Sequence, residues 1–516
     1  MGSTSTNLLL DINIQTLTIP TFHAALSNNT TTCTDLIQTY LTRITKYNPT
    51  LHSLITMNPH ALSLAKEKDI ETQSLLSQNK PLPPLHGIPI IVKDNISMKD
   101  LPTTAGVSAL RTLSTKTDSE VVSRLRAAGA IILAKANLHE FALQGTSTSS
   151  AGGQCVNPFD ASRTPGGSSG GTAVAISAGL GLVGIGSDTV NSLRSPASAC
   201  GIVGFRPSWG RVCVDGVVPV SGVQDVVGPM GGCVGDVRVV FDVLKIGKRE
   251  VNNGDGDSCG EGSRRRAIRI GILDAYFGLD DPESDLSEDL IHENEIVQGI
   301  INEAISSISG SNSGSDIEFI HIDPITHPDW RFTTLYSTAD TQIYEFQERL
   351  KTFLQSPNVM SPYHSLKAIA ESGDYDKNAV TEVFTAPLHD PQTFSLSSPE
   401  YQSRLKNISI LKTSVNECFE KNDIDALIYP HQRQLVVKVG TTVQPRRNGI
   451  LAALTGRPAI CIPAGFSPPT STAVQGVPVG LELIGRVDRD EELLLLAERI
   501  EGILRRKRAP HMEWII

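Results

Sequence analysis

One stretch, residues 164–207, constrains the fold and chemistry of this chain more than any other. It reads TPGGSSGGTAVAISAGLGLVGIGSDTVNSLRSPASACGIVGFRP, and no other segment is so dense in glycine and serine. Glycine pairs let backbone amides approach a ligand closely, because no Cβ intervenes. Serines in such loops, here Ser168, Ser169 and Ser192, are presented beside free N–H groups. Acyl transfer needs this arrangement for its nucleophile and its oxyanion.

Three other interpretations of this stretch are weaker. A flexible Gly/Ser linker is disfavoured because residues 172–186 are apolar and compact, so the loop opens onto buried structure. The G-x-S-x-G pattern through Ser168 or Ser169 resembles the nucleophile elbow of α/β-hydrolases, but an elbow follows an apolar strand directly. Residues 157–165, which contain two prolines, do not read as such a strand. A phosphate-binding loop needs a lysine after its glycines, and none follows Gly171.

Further motifs, in a fixed order along the chain, carry a resemblance to a known family. They are PLHGIPIIVKDN at 84–95, AKANLHEF at 134–141, NP at 157–158, GGSSGG at 166–171, RSPASACGIVGFRP at 194–207, GRPA at 456–459 and GVPVGL at 476–481. Together they resemble the amidase signature family over most of the chain, most weakly between about 250 and 420. The resemblance implies one large α/β domain whose central mixed β-sheet is covered by helices on both faces.

The resemblance also implies a covalent mechanism that uses three residues. Ser192 would attack the amide carbonyl as the nucleophile. Ser168, joined to Gly167 by a cis peptide bond, would relay the proton of Ser192 to a neutral Lys93. A base is needed because a hydroxyl is a poor nucleophile until its proton is removed. Burial at the end of the predicted strand 87–92 would lower the pKa of Lys93 and keep it neutral.

Five further residues receive supporting roles from the same resemblance. Thr189, Val190 and Asn191 would supply backbone amides to the oxyanion and bind substrate, while Ser169 and Arg194 would support the hydrogen-bond network. Where the family commonly has Thr-Gly-Gly-Ser, this chain has Thr-Val-Asn-Ser. Valine resists positive φ, whereas asparagine tolerates it. Either the loop keeps its shape, or the acyl group is held differently.

The resulting prediction is hydrolysis of a carboxylic amide bond through an acyl-enzyme on Ser192. Two alternatives stay open: an acyltransferase that passes the same acyl group to an amine or alcohol, and a partner-dependent, amidotransferase-like subunit. The intact set of Lys93, Ser168 and Ser192 argues against a non-catalytic scaffold. A formal net charge of −10 gives no basic footprint for nucleic acid, which argues against a tRNA-coupled role.

Composition adds expectations about partners and compartment. A chain of 516 residues, 40% hydrophobic and 19% charged, can bury a sizeable core. No uncharged apolar run reaches the ~18 residues of a membrane span, and the eight cysteines show no C-x-x-C pair and no histidine at ligand spacing. We therefore expect no metal, no cofactor and no nucleic acid, a small-molecule amide or ester as substrate, and a cytoplasmic location. A homodimer stays an open alternative.

The domain organisation follows from composition and periodicity. Residues 1–80 are predicted to form a helical region packed on the core, and residues 81–516 the amidase signature core, with an exposed polar insertion at about 249–266. Predicted strands are 87–92, 131–133, 182–185, 268–273, 317–322, 426–429, 459–462 and 479–484, and predicted helices are 34–44, 61–76, 119–126, 172–179, 236–245, 296–308, 341–354 and 491–504. Because strands and helices interleave throughout, the predicted class is α/β.

Overall fold

The computed structural model describes residues 13–247, 267–279, 286–322 and 330–512. The insertion predicted at about 249–266 falls outside these ranges, so it stays a prediction. Within the described ranges, none of the helices has both the length and the apolar character needed to cross a bilayer.

A mixed sheet of eleven strands forms the centre of the described chain, in the order β1-β4-β2-β7-β9-β8-β14-β15-β13-β10-β11. The predicted α/β class with one large domain is confirmed. The strands are β1 Leu54–Met57, β2 Pro89–Lys93, β3 Ser114–Thr115, β4 Ile131–Ala136, β5 Thr148–Ser149, β6 Gly153–Gln154, β7 Val183–Asp188, β8 Val203–Arg206, β9 Val226–Gly231, β10 Ile268–Leu273, β11 Ile317–Ile322, β12 Val359–Met360, β13 Ala426–Pro430, β14 Ala459–Phe466 and β15 Pro478–Gly485.

Helices cover this sheet and connect its strands. They are α1 Ile19–Ser27, α2 Cys33–Leu51, α3 Ala61–Ser77, α4 Glu120–Ala127, α5 Gly170–Ser177, α6 Arg194–Cys200, α7 Val234–Leu244, α8 Glu288–Ser309, α9 Phe332–Ala339, α10 Gln342–Leu354, α11 Leu366–Ser372, α12 Glu382–His389, α13 Pro399–Lys421, α14 Ile450–Thr455 and α15 Asp490–Leu504.

Two neighbouring parallel strands bring separate sequence motifs to one edge of the sheet. Strand β2 runs parallel to β7, with Val92 opposite Ile185, so the carboxyl ends of both strands lie at the same edge. Every residue of both strands is buried, which is typical of a parallel sheet covered on both faces. The last residues of β2 and β7, Lys93 and Asp188, therefore lie at the same buried edge of the sheet.

Helix α5 begins inside the GGSSGG motif, two residues before the predicted start at 172. A Cβ at Gly171 would lie 2.2 Å from the carbonyl oxygen of Asn137 and 2.5 Å from that of Ser53. Only glycine fits such a close approach of backbones. The glycines here therefore serve close packing of a buried helix.

The N-terminal region contributes to the central sheet as well as to its cover. The prediction of a purely helical region there was incomplete, because β1 lies between α2 and α3 and pairs antiparallel with β4 at the edge of the sheet. Four residues, Leu-Ile-Thr-Met, are too few to show an alternating pattern. Phe22 and Leu36 of the flanking helices are buried in the same core as the central strands.

Candidate active site

Lys93 ends strand β2 and is completely buried. Its Nζ donates hydrogen bonds to Ser168 Oγ at 2.7 Å and to Ser187 Oγ at 2.9 Å. Burial lowers the pKa of Lys93 to about 7, although the negative charges of Asp188 and Asp225 act to raise it. An ammonium group without a close carboxylate loses its hydration on burial, so the neutral amine becomes accessible near neutral pH.

Ser168 is held in a buried turn whose peptide bond with Gly167 is cis. The Oγ of Ser147 donates to the carbonyl of Gly166 at 2.8 Å, and the backbone amide of His139 donates to the carbonyl of Ser168 at 3.1 Å. These contacts fix the backbone on either side of the cis bond and direct the Ser168 hydroxyl toward Lys93.

Ser192 lies in the loop between β7 and α6, next to this turn. The backbone amide of Ser169 donates to the carbonyl of Ser192 at 3.2 Å, and Ser169 Oγ donates to the carbonyl of Ser187 at 3.1 Å. Ser169 thus joins the turn to both ends of the Ser192 loop. The structure brings Lys93, Ser168, Ser169 and Ser192 together in one buried cluster.

Three backbone N–H groups of the Ser192 loop are not used in the internal hydrogen bonds of the described structure. In the described part of the chain, the N–H groups of Val190, Asn191 and Ser192 donate no hydrogen bond. Neither Val190 nor Asn191 has a positive φ, so the replacement of glycines at these two positions costs no backbone strain. Thr189 is anchored by its hydroxyl, which donates to Asp225 at 2.6 Å.

A buried ionic network braces the same loop from behind. Arg194 contacts Asp188 at 3.1 Å, donates to the carbonyl of Val190 at 2.6 Å, and pairs with Glu482 of β15. Arg206 of β8 contacts Asp188 at 2.8 Å. Burial alone would raise the pKa of Asp188, but the two guanidinium groups outweigh it and hold that pKa below its usual value. Removing one partner of such a buried set leaves an uncompensated charge.

Comparison with known proteins identifies the family. Residues 35–292 match the family described as Amidase. The A subunit of glutamyl-tRNA(Gln) amidotransferase from Symbiobacterium thermophilum is 31% identical over 479 residues, covering 90% of this chain and 92% of that protein. The chain belongs to the amidase signature family.

Two further relatives illustrate what this amidase family member resembles. The chloroplastic/mitochondrial counterpart of the same amidotransferase subunit, from Vitis vinifera, is 28% identical over 515 residues, covering 94% of this chain and 88% of that protein. The crystal structure of native peptide amidase from Stenotrophomonas maltophilia superposes with a TM-score of 0.79 at 27% identity, over 96% of this chain and 99% of that one.

Ser192 opens onto a small cavity whose glutamine and arginine side chains were not predicted from the sequence. The cavity has a volume of about 80 Å³, and its walls include Gln144, Val190, Asn191, Ser192, Phe332, Tyr336, Gln342, Thr381 and Arg447. Arg447 donates to Asn191 Oδ1 at 2.8 Å and to Gln144 Oε1 at 3.1 Å. The segment around Arg447 has no periodic pattern, so the sequence offered no signal that would place it beside Ser192.

Other polar residues behind Lys93 were also missed. Asn95 Nδ2 donates to Ser187 Oγ at 3.0 Å, so Asn95 and Lys93 share one acceptor. Ser187, Asn95 and Thr189 line a second cavity of about 360 Å³, whose walls also include several valines. Their positions next to motif residues were a usable signal, since Asn95 follows Lys93 by two and Ser187 precedes Asp188.

The side chains around Ser192 do not form a metal centre. Among the residues that the structure describes, no group of three histidine, cysteine, aspartate or glutamate side chains is placed to bind an ion. The groups that converge on Ser192 are hydroxyls, amides and one guanidinium. Their chemistry is proton transfer and hydrogen bonding to a polar substrate.

Proposed function

We propose that this protein hydrolyses a carboxylic amide bond through a covalent acyl-enzyme on Ser192. The observation that carries the proposal is the 2.7 Å hydrogen bond between the fully buried Nζ of Lys93 and Ser168 Oγ, in the same cluster as a serine that faces a cavity. A base with a pKa of about 7 is matched to proton transfer at neutral pH.

The first half of the reaction acylates Ser192. Neutral Lys93 accepts the proton of Ser168, which accepts that of Ser192 as its Oγ forms a bond to the amide carbonyl carbon. The backbone amides of Val190, Asn191 and Ser192 donate to the developing oxyanion, which is where fixed dipoles contribute most. The carbon–nitrogen bond then breaks, and the proton returns through Ser168 to the departing amine.

The second half removes the acyl group. Water takes the place of the amine and loses a proton to the same relay as its oxygen attacks the acyl carbon. The bond to Ser192 Oγ breaks, and Ser192 regains its proton. The likeness to the peptide amidase structure supports this hydrolytic reading.

Transfer to another acceptor is the second candidate. The relatives from Symbiobacterium thermophilum and Vitis vinifera are both named as subunits of an amidotransferase, which favours a partner-dependent reaction built on the same acyl-enzyme. The two candidates differ in what attacks the acyl group and in whether the isolated chain turns over.

The test uses intact-protein mass spectrometry after exposure to a fluorophosphonate and to a panel of amides and esters. We expect one adduct on the parent protein, none on Ser192→Ala, and loss of amide hydrolysis in that variant. Ser177→Ala, in which a buried serine at the end of α5 is replaced, should keep both. Near-normal hydrolysis by Ser192→Ala overturns the mechanism. An acyl adduct that decays only when hydroxylamine is added identifies the transfer reaction instead.

The cytoplasmic location and the homodimer stay predictions. Seven cysteines within the described ranges are free thiols, a state typical of reducing compartments, which supports the first. Size-exclusion chromatography with light scattering tests the second.

A further inference from the structure

We propose that the substrate is an amide that also carries a carboxylate a few carbons from the scissile carbonyl, and that Arg447 binds this carboxylate. The inference rests on the proposed function, because it assigns a substrate class to the Ser192 site. It gives Arg447 a role in specificity, in contact with substrate but outside the proton relay.

The first argument is the set of hydrogen-bond partners of Arg447. Its two guanidinium nitrogens donate to the neutral amide oxygens of Asn191 and Gln144, and in the described part of the chain no carboxylate forms an ion pair with it. Arg194 and Arg206, which are fully buried, both contact Asp188. Arg447 is partly buried, and charges withdrawn from water are normally paired, so we expect an anionic group of the substrate to pair with it.

The second argument is a set of polar atoms without partners around the same cavity. Arg447 Nε, Asn191 Nδ2 and Thr381 Oγ1 are buried and make no hydrogen bond. All three residues line the cavity that Ser192 faces, and Asn191 is only 2% exposed. Unsatisfied buried donors are costly, and the oxygens of a carboxylate can accept hydrogen bonds from a guanidinium, an amide or a hydroxyl.

The charge of Arg447 is retained at the site. Burial lowers the pKa of Arg447 to about 10, with Tyr336 and Asp188 acting to raise it, so the guanidinium is protonated at neutral pH. A planar guanidinium is well suited to a carboxylate, because its donors match the two oxygens. A neutral or cationic substituent would leave these donors unpaired.

The position of Arg447 sets the distance between the carboxylate and the scissile carbonyl of the substrate. Arg447 contacts Asn191, which is adjacent to Ser192 in sequence, and all three lie on a cavity of about 80 Å³. Sites for drug-sized ligands are roughly 300–1,000 Å³, so this space suits a short chain. Monoamides of four- to six-carbon dicarboxylic acids fit both the size and the charge.

Binding to the Ser192→Ala protein tests the proposal without turnover. We expect calorimetry to show that glutaramate, or its four- or six-carbon homologue, binds at least tenfold more tightly than the neutral pentanamide. Adding Arg447→Gln should weaken glutaramate binding roughly 10–100-fold, as expected for a lost hydrogen bond to a charged group. Binding of pentanamide should stay the same. Arg446→Gln is the matched control, because Arg446 donates to Gln434 and not to the Ser192 cavity.

Three outcomes overturn the proposal: equal binding of glutaramate and pentanamide, no binding of any of the three monoamides, or no effect of Arg447→Gln. If Arg447→Gln does not fold, as judged by circular dichroism, Arg447→Lys takes its place in the test. This variant keeps the charge, so it should retain the preference for glutaramate over pentanamide. Failure of the proposed function gives a different pattern. Ser192 would then resist the fluorophosphonate while the preference for carboxylates in binding remained.

Discussion

Two buried lysines on neighbouring strands differ in what their Nζ atoms contact. Lys93 ends β2 and Lys135 lies near the end of β4, which runs parallel to it, and both side chains are fully buried. Lys135 Nζ pairs with Asp94 at 2.9 Å, whereas Lys93 Nζ faces two serine hydroxyls. Burial lowers the pKa of both lysines, but for Lys135 the charge of Asp94 opposes that effect directly.

Lys93 and Lys135 differ in the groups that their Nζ atoms contact and not in their degree of burial. A carboxylate in contact stabilises the ammonium form, so Lys135 holds an ion pair that fixes the loop after β2. A hydroxyl accepts a hydrogen bond without supplying a charge, so Lys93 is left able to lose its proton. Sequence position alone does not distinguish the two, because both lysines lie at the ends of apolar strands.

Replacing Lys93 should produce the largest effect on activity. We expect Lys93→Met to lower kcat/KM for a model amide by roughly 100- to 10,000-fold, the range that general-base catalysis contributes, while the protein stays folded. Steady-state kinetics and far-UV circular dichroism make the check. A loss of less than about tenfold would assign the base to another group.

Replacing Lys135 should affect stability instead. Lys135→Met leaves Asp94 buried without its counter-charge, and we expect unfolding in urea to show a loss of about 3–5 kcal/mol. The double variant Asp94→Asn/Lys135→Met removes both charges and should recover more than half of that loss. For the fraction that stays folded at low temperature, kcat/KM should remain within a few-fold of the parent. A stable but inactive Lys135→Met would show that the two lysines act together.

The last prediction concerns the pH dependence of kcat/KM, which should follow the protonation of Lys93. The base form of Lys93 is neutral and is populated above its pKa of about 7. We therefore expect kcat/KM to rise about tenfold per pH unit below this value and to level off above it. Burial also raises the pKa of Glu140 to about 7, so Glu140→Gln is the necessary control. An inflection that disappears in Glu140→Gln would show that the profile reports that carboxyl group and not Lys93.

The parts of the site that the sequence predicted lie inside local motifs. Lys93, Ser168, Ser192 and Arg194 are each embedded in a run of residues that resembles the family, so their close approach could be expected from those runs alone. The question raised by Val190 and Asn191 has a simple answer in the backbone. The loop needs no positive φ at either position, so glycine is not required there.

The parts that the sequence did not predict depend on long-range contacts. Arg447 is 256 residues from Asn191 along the chain, and nothing in the run Pro-Arg-Arg-Asn distinguishes an arginine that lines a cavity from one on the surface. The ion pair between Lys135 and Asp94 was also not predicted, because both residues were interpreted only as parts of motifs that resemble the family. Strand β1 was not predicted because four residues are too few to show an alternating pattern of apolar and polar side chains.

The ion pair between Arg194 and Glu482 has a consequence for when the chain can become active during its synthesis. Glu482 lies on β15, the last strand of the described chain, which inserts between β14 and β13 and lies 288 residues after Arg194. At about 5–20 residues per second, a ribosome takes roughly 15 to 60 s to cover that interval. Throughout this period the nascent chain contains Lys93, Ser168 and Ser192 without the strand that braces their loop. We therefore expect the unfinished polypeptide to be inactive and to gain activity only when translation is nearly complete.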